Sequence, residues 1–202
     1  MAALQNFDFN QDYTLENERV LLRPLLLSDL PILEKYVIEE PELWQYSLVA
    51  INNSADLKKY IQDAIEARNK KIAYPFIVFD KLHQQYVGCT RFYDIQLAFN
   101  STQLGYTWYS KKVWGSGLNQ HCKFLLLQFA FDQIGFERVE FRADNNNKRS
   151  IAAMQKIGCT IEGVLRNHLP MPNGTRRDSI VLSILQQEWT TKLKQNLAAQ
   201  LK

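Results

Sequence analysis

The chain contains 202 residues, of which 46% are hydrophobic, and its 24 basic and 21 acidic residues leave a net charge of +3. This size suffices for one domain with a full hydrophobic core, and the mild, dispersed charge argues against a nucleic-acid-binding protein. No apolar run approaches the roughly 20 residues of a membrane-spanning helix, and the first residues lack the pattern of a secretion signal. We therefore expect one domain, residues 1–202, in a cytoplasmic protein that does not bind membranes.

The first third of the chain predicts an arm, a strand and two helices. Residues 1–15 are polar with isolated aromatic side chains, which is typical of an extended arm. The run at residues 19–25 predicts a strand that ends near a proline. A helix is expected over residues 28–37, with Ser28 as its N-cap, and a second helix over residues 54–69.

The middle of the chain predicts a hairpin, then a strand, a glycine loop and a helix. Residues 75–79 and 85–95 are apolar or alternating runs separated by turn residues, as in a β-hairpin. Residues 104–110 alternate at period two, which indicates a half-buried strand. After a loop that contains Gly-Ser-Gly, residues 118–134 carry apolar side chains at helical spacing.

The last third predicts one more strand–helix unit, a strand pair and a terminal helix. A strand over residues 138–143 precedes a helix that begins at Asn147 and ends at Gly158. Two further strands, residues 160–169 and 176–185, flank a turn with Pro and Asn-Gly. The apolar stripe of the tail predicts a C-terminal helix over residues 187–202. Short strands alternating with helices indicate a mixed α/β fold.

The glycine loop carries the first chemical signal. The backbone N–H groups of Gly115, Ser116 and Gly117 are not obstructed by large side chains. The first N–H groups of the following helix have no partners within the helix, so loop and helix start together can bind phosphate oxygens. Taken alone, the same pattern is also typical of an ordinary strand-to-helix connection.

Four short motifs extend this signal along the chain. They begin at Trp114 (Trp-Gly-Ser-Gly-Leu-Asn), Asn147 (Asn-Lys-Arg-Ser), Lys156 (Lys-Ile-Gly-Cys) and Glu162 (Glu-Gly-Val-Leu-Arg). Together they resemble the GNAT N-acetyltransferases, and most of all the RimJ/RimL-like branch, which includes ribosomal-protein N-terminal acetyltransferases. The resemblance covers residues 19–189.

The resemblance implies a GNAT fold, in which a mixed, mostly antiparallel twisted sheet of about seven strands carries helices on both faces. The central strands splay apart so that the cofactor can enter. It also implies acetyl-CoA as co-substrate, no metal, and direct transfer of the acetyl group to a primary amine of a protein N-terminus or small molecule. We expect a monomer or homodimer. The scattered cysteines, Cys89, Cys122 and Cys159, predict reduced thiols without metal-ligand spacing.

The same resemblance assigns the cofactor site to the glycine-loop strand, the loop and two helix starts. The residues expected to bind acetyl-CoA are Tyr106, Trp108, Val113, Trp114, Gly115, Ser116, Gly117, Leu118, Asn119, Asn147 and Ser150. Ser150 is also the expected general acid that protonates the departing thiolate. Capping of the helix would by itself be sufficient to explain an Asn-x-x-Ser at this position.

The acceptor amine is expected to bind near the first helices and the following hairpin. The residues expected to contact it are Glu42, Trp44, Arg91 and Tyr93. The base is less evident, because relatives commonly carry Glu where this chain has Gln103, and an amide does not accept a proton usefully at neutral pH. His168 is the expected base, since imidazole titrates near pH 6.5. Asp178, Glu42 and a water chain are the alternatives.

Two other functions compete with the transferase. A dinucleotide-dependent oxidoreductase would explain the Gly-x-Gly loop, but Gln120 replaces the third glycine and the preceding strand is amphipathic. A GNAT-fold module that binds acyl-CoA without turnover would explain Gln103. If the protein binds NADH tightly and does not bind acetyl-CoA, the oxidoreductase is favoured. If it binds acetyl-CoA but releases no CoA with any amine, the binding module is favoured.

Overall fold

The computed structural model describes residues 7–201, so residues 1–6 of the predicted arm lie outside the described part. Eight strands form one sheet in the order β1-β2-β3-β4-β5-β6-β8-β7. Their bounds are β1 (Leu15–Glu16), β2 (Val20–Pro24), β3 (Ala73–Asp80), β4 (Gln85–Gln96), β5 (Ser101–Tyr109), β6 (Arg138–Asp144), β7 (Thr160–Pro170) and β8 (Arg176–Leu185). Every neighbouring pair is antiparallel except β5 and β6. The mixed, mostly antiparallel sheet is confirmed, and the two-residue β1 brings the count to eight, not seven.

Helices cover both faces of the sheet. The main ones are α1 (Leu30–Glu39), α2 (Ser54–Asn69), α3 (Leu118–Gln128) and α4 (Lys148–Lys156), and π-helical turns extend α3 over Phe129–Ile134. The chain ends in α5 (Gln186–Glu188), a π-helical turn (Trp189–Leu193) and α6 (Lys194–Ala198). Within the described residues no helix is long and apolar enough to cross a membrane.

The core has two parts because side chains alternate across the sheet. On β3, Ile77 belongs to the cluster beneath α1 and α2, whereas its neighbours Phe76 and Val78 belong to the larger cluster beneath α3, α4 and the C-terminal helix. The predicted strands and helices therefore occur close to their expected bounds, with helices on both faces as the resemblance implies.

The start of α1 differs from the prediction. The helix begins at Leu30 after a 3₁₀ turn, and Ser28 does not cap it. Asp29 instead accepts a hydrogen bond from the backbone N–H of Leu26 (2.9 Å) and forms a bidentate ion pair with Arg23. A buried carboxylate that is already held by a guanidinium is a stronger acceptor than an exposed serine hydroxyl, so it sets the geometry of this turn.

The two ends of the described chain pack on the same face. Phe7 lies within 5.5 Å of Tyr74 and 6.1 Å of Phe129, measured between ring centroids. Arg68 donates hydrogen bonds to the backbone carbonyls of Phe9 (2.7 Å) and Gln11 (2.9 Å). At the other end Trp189 is fully buried. These contacts anchor residues 7–14 and the C-terminal helix on the larger core.

The two central strands separate. β5 and β6 pair in parallel over only three residues each, from Ser101 to Gln103 and from Arg138 to Glu140. Beyond this point β6 pairs with β8 and β5 pairs with β4, so residues 104–109 have one strand neighbour instead of two. The sheet therefore contains the wedge-shaped opening that the resemblance implies, with unpaired backbone groups along one side of β5.

Candidate active site

A cavity of about 1150 Å³ lies at the wedge. Its walls come from residues 42–48, residues 103–109 of β5, the loop of residues 111–117, residues 141–144 of β6 and the first half of α4. These segments are far apart in sequence, and they all border the gap that opens where β5 diverges from β6.

The glycine loop forms one end of this cavity. Gly115 and Gly117 have φ angles of 73° and 86°, and no atom lies within 4 Å of the position that a side chain at either residue would occupy. The glycines are thus required for the left-handed backbone, and they leave space in front of the loop. Ser116 and Leu118 do not line the cavity. The Ser116 hydroxyl donates to the carbonyl of Val113 (2.7 Å), and Leu118 is buried in the core.

Basic side chains also line the cavity. Lys111, Lys148, Arg149 and Lys156 all line the cavity. The guanidinium of Arg149 lies 3.4 Å from the ring centroid of Trp114, whose indole N–H donates to the carbonyl of Tyr109 (2.9 Å). Burial lowers the pKa of Arg149. Sequence reasoning did not select these cations, although Lys148 and Arg149 stand inside the quoted Asn-Lys-Arg-Ser motif.

The start of α4 forms another part of the wall. Asn147 caps the helix, since its side-chain oxygen accepts the backbone N–H of Ser150 at 3.1 Å. The Ser150 hydroxyl lines the cavity and makes no hydrogen bond with any other residue between 7 and 201. Capping therefore requires Asn147 alone, and the hydroxyl of Ser150 remains available for a ligand.

The remaining predicted cofactor residues also reach the cavity. Tyr106, Trp108, Val113 and Asn119 line it. Tyr106 has a φ of 49°, at a point where the pairing of β4 with β5 shifts register. This β-bulge turns Tyr106 outward and interrupts the ladder where the wedge opens.

The predicted acceptor residues divide into two groups. Glu42, Trp44 and Tyr93 line the cavity, and Glu42 forms an ion pair with Lys111. Arg91 does not line it: its guanidinium is buried between two rings, 3.9 Å from the centroid of Tyr106 and 4.8 Å from that of Tyr60. Arg91 thus contacts two lining residues, Tyr60 and Tyr106, without lining the cavity itself.

The predicted base, His168, lies on β7 and is not among the lining residues, although the adjacent Leu169 is. Its Nδ1 is 3.0 Å from the hydroxyl of Ser179, which accepts a hydrogen bond from Nε of Arg177 at 2.9 Å. Because Arg177 can only donate, the serine proton is directed to Nδ1 of the histidine. Partial burial lowers the pKa of His168, and the charges of Arg142, Arg177 and Arg176 lower it further.

A buried lysine faces the same space from α3. Lys123 is 5% exposed, lines the cavity and donates to the hydroxyl of Thr107 at 2.9 Å. Burial lowers the pKa of this ammonium group to about 8. It has no carboxylate partner among the described residues. Sequence reasoning missed Lys123 because it stands between Cys122 and the apolar residues 124–127 of α3.

Comparison with known proteins gives a consistent result. The profile of the acetyltransferase (GNAT) domain matches residues 19–160. An uncharacterized N-acetyltransferase of Bacillus licheniformis, p20, is 24% identical over 181 residues, which is 87% of this chain and 98% of the relative.

Solved structures agree with the fold. A GCN5-related N-acetyltransferase from Brucella melitensis has a TM-score of 0.87 at 23% identity, over 96% of this chain and 88% of that one. RimJ of Mycobacterium smegmatis, solved in complex with CoA-disulfide, has a TM-score of 0.79 at 18% identity over 93% of each chain.

Proposed function

Because the chain belongs to the acetyltransferase (GNAT) family, whose members transfer acyl groups from acetyl-CoA to amines, we propose that it acetylates a primary amine directly, without an acyl-enzyme. The amine is the α-amine of a protein N-terminus or that of a small molecule. The observation that carries the proposal is one continuous cavity. It is lined by the glycine loop, the open edge of β5, the start of α4 and residues 42–48.

The residues present fit acetyl-CoA. Phosphate oxygens require N–H donors and cations, and the glycine loop with Lys148, Arg149 and Lys156 offers both. The extended pantetheine arm contains amides that can pair with unpaired strand backbone, which residues 104–109 of β5 offer along the wedge. When bound, the thioester supplies an activated acetyl group.

The side chains at the wedge then have defined tasks. Trp108 and Tyr106 bound the space for the arm, and Glu42, Trp44 and Tyr93 bound the space for the amine. The Ser150 hydroxyl, free of capping, donates a proton to the departing thiolate. His168 is the base expected from the sequence, but its contact with Ser179 favours an indirect role.

The part of the cavity lined by Gln45 and Tyr46 has room for an extended substrate. A second cavity of about 240 Å³ continues from it and shares Gln45, Tyr46, Asp144, Asn146 and Arg177 with the first. Such a continuation could hold the residues that follow a peptide's N-terminal amine. A cytoplasmic location and a monomeric or dimeric state remain predictions.

The oxidoreductase is excluded by the topology of the sheet. A doubly wound dinucleotide fold requires adjacent parallel strands along their length, whereas β5 and β6 pair in parallel over three residues and every other pair is antiparallel. The acyl-CoA-binding module without turnover has the same fold and must be separated by experiment.

A panel of amines with acetyl-CoA, with release of free CoA thiol as the readout, tests the proposal. The panel should contain peptides with free and blocked N-termini, a polyamine and an amino sugar. We expect release that depends on a free primary amine. Acetyl-CoA binding by calorimetry without release for any amine would instead establish a binding module.

A further inference from the structure

The family resemblance implies a glutamate base at the position of Gln103, so the base of the proposed reaction is unassigned. An amide side chain donates through its nitrogen and accepts hydrogen bonds through its oxygen, but it does not take up a proton at neutral pH. The structure shows which carboxylate this amide contacts.

Gln103 is 8% exposed and lines the cavity at the narrow end of the wedge. Its Nε2 donates to Oδ2 of Asp94 at 2.8 Å, and Nε2 of Gln96 donates to Oδ1 of the same carboxylate at 2.8 Å. Asp94 also lines the cavity. The carboxylate that position 103 lacks is thus present one strand away, and the residue at position 103 holds it.

The backbone explains how Asp94 reaches this place. Successive residues of a regular strand point to opposite faces, yet Tyr93 and Asp94 both line the cavity. Asp94 has a φ of 47°, and the pairing of β4 with β5 is irregular between Tyr93 and Gln96. Aspartate is one of the few residues that adopt this left-handed conformation readily. The irregularity therefore turns the Asp94 carboxylate into the cavity.

The other carboxylates of the cavity are less suitable. Glu42 is paired with Lys111. Asp144 is 6% exposed and accepts the backbone N–H of Asn146 at 2.8 Å. Asp94 forms no ion pair with any residue from 7 to 201, and it is solvent-exposed as well as lining the cavity.

A further polar atom points to a ligand here. Oε1 of Gln103 is buried and has no hydrogen-bond partner among the described residues. A buried acceptor without a donor is costly, and sites of this kind are typically completed by water or a substrate N–H group. The amide nitrogen of Gln103 thus donates to Asp94, and its amide oxygen is available to accept a hydrogen bond from a ligand.

We propose that Asp94 is the general base of the acetyl transfer and that Gln103 is the residue that positions it. The inference rests on the proposed function. Asp94 takes a proton from the bound ammonium group and passes it to solvent, which leaves the neutral amine. As the new C–N bond forms and the C–S bond breaks, the thiolate takes the proton of Ser150, and the second proton that the nitrogen loses restores Ser150 through water. One proton is thus released to solvent per CoA thiol formed.

The test compares Asp94→Asn, Gln103→Glu and the double variant with Asp63→Asn, which changes an exposed carboxylate of α2 that pairs with Lys59. Each is assayed with a peptide α-amine, with a pKa of about 7.7–8.0, and an alkyl amine, with a pKa of about 10.4. We expect Asp94→Asn to lower kcat by about 10²–10⁴ at pH 7 without changing acetyl-CoA affinity. The loss should be larger for the alkyl amine and should shrink above the pKa of each acceptor, because the amine then arrives neutral.

The double variant distinguishes a base from a structural bridge. Moving the carboxylate from position 94 to position 103 should restore about tenfold or more of the lost rate, while the Asp63→Asn control stays at the wild-type rate. A loss at Asp94→Asn that is equal for both acceptors at every pH, without rescue, would show that Asp94 only joins the strands. If the wild type turns over and Asp94→Asn equals it, the base assignment alone fails. If the wild type releases no CoA, the proposed function fails with it.

Discussion

The side-chain oxygen of Asn147 accepts the backbone N–H of Ser150 at 3.1 Å, and the hydroxyl of Ser150 faces the cavity without a protein partner among the described residues. The two residues of the Asn-x-x-Ser motif therefore have separate tasks. Asn147 stabilises the helix start, and the Ser150 hydroxyl is left for the proposed proton transfer.

Ser150→Ala should leave the helix cap intact and lower turnover. We expect kcat to fall by about 10²–10⁴, with a change in unfolding free energy no larger than about 0.5 kcal/mol. Asn147→Ala is the matched variant, because it removes the cap and should cost about 0.5–2 kcal/mol. Thermal unfolding and kcat of both variants separate the two roles. A wild-type kcat in the Ser150→Ala variant would show that Ser150 is not the general acid.

Gly117→Val should weaken acetyl-CoA binding while the protein remains folded. At a φ of 86° any non-glycine residue is strained by roughly 1–3 kcal/mol, and the added side chain occupies the space in front of the loop. Gly135→Val is the control, since Gly135 has a φ of 85°, equally open surroundings and no place in the cavity. Calorimetric titration should show lost affinity for the first variant only. Equal affinities would remove the glycine loop from the site.

Lys123→Met should stabilise the protein at neutral pH. Burial lowers the pKa of Lys123 from 10.5 to about 8 on folding. Below about pH 8 the folded protein carries this charge in its interior, which lowers the free energy of unfolding by about 3 kcal/mol. The penalty disappears as pH rises from about 8 to 10.5, and the advantage of the variant should disappear in the same window. Urea unfolding across this range, with exposed Lys58→Met as control, measures it. A constant difference between the two variants would contradict the burial of a charged group.

His168→Ala should retain most of the turnover. Its Nδ1 is directed at Ser179 and its ring does not line the cavity. We expect kcat within about threefold of wild type. The pH profile should be unchanged, because only the residue that takes the proton produces the rise of the rate with pH. Loss of the acidic limb in this variant, for two acceptors of different pKa, would restore His168 as the base.

Much of the architecture could be predicted because it depends on local pattern. Period-two alternation located β5, and helical spacing located α3, since each pattern reflects one buried face. Asn147 and Gly158 marked the ends of α4 through their own backbone requirements. The open side of β5 was not visible in the pattern and came only from the resemblance.

The parts of the site that were missed depend on contacts between distant segments. Nothing near Lys123 in sequence reveals Thr107, and nothing near Asp94 reveals that Gln103 will donate to it. Arg91 was expected at the acceptor, but its position between the rings of Tyr60 and Tyr106 follows from tertiary packing alone. Ser28 was similarly displaced as a cap by Asp29.

The proposed reaction joins the acetyl group of acetyl-CoA to a primary amine within this cavity. Incubation with acetyl-CoA labelled in the acetyl group, followed by mass spectrometry of the acceptor, tests it most directly. We expect the label to appear as an amide on the acceptor in equal amount to the CoA released, and neither to appear with a blocked amine. Release of CoA with the label recovered as free acetate, or binding without release, would contradict the proposed transfer.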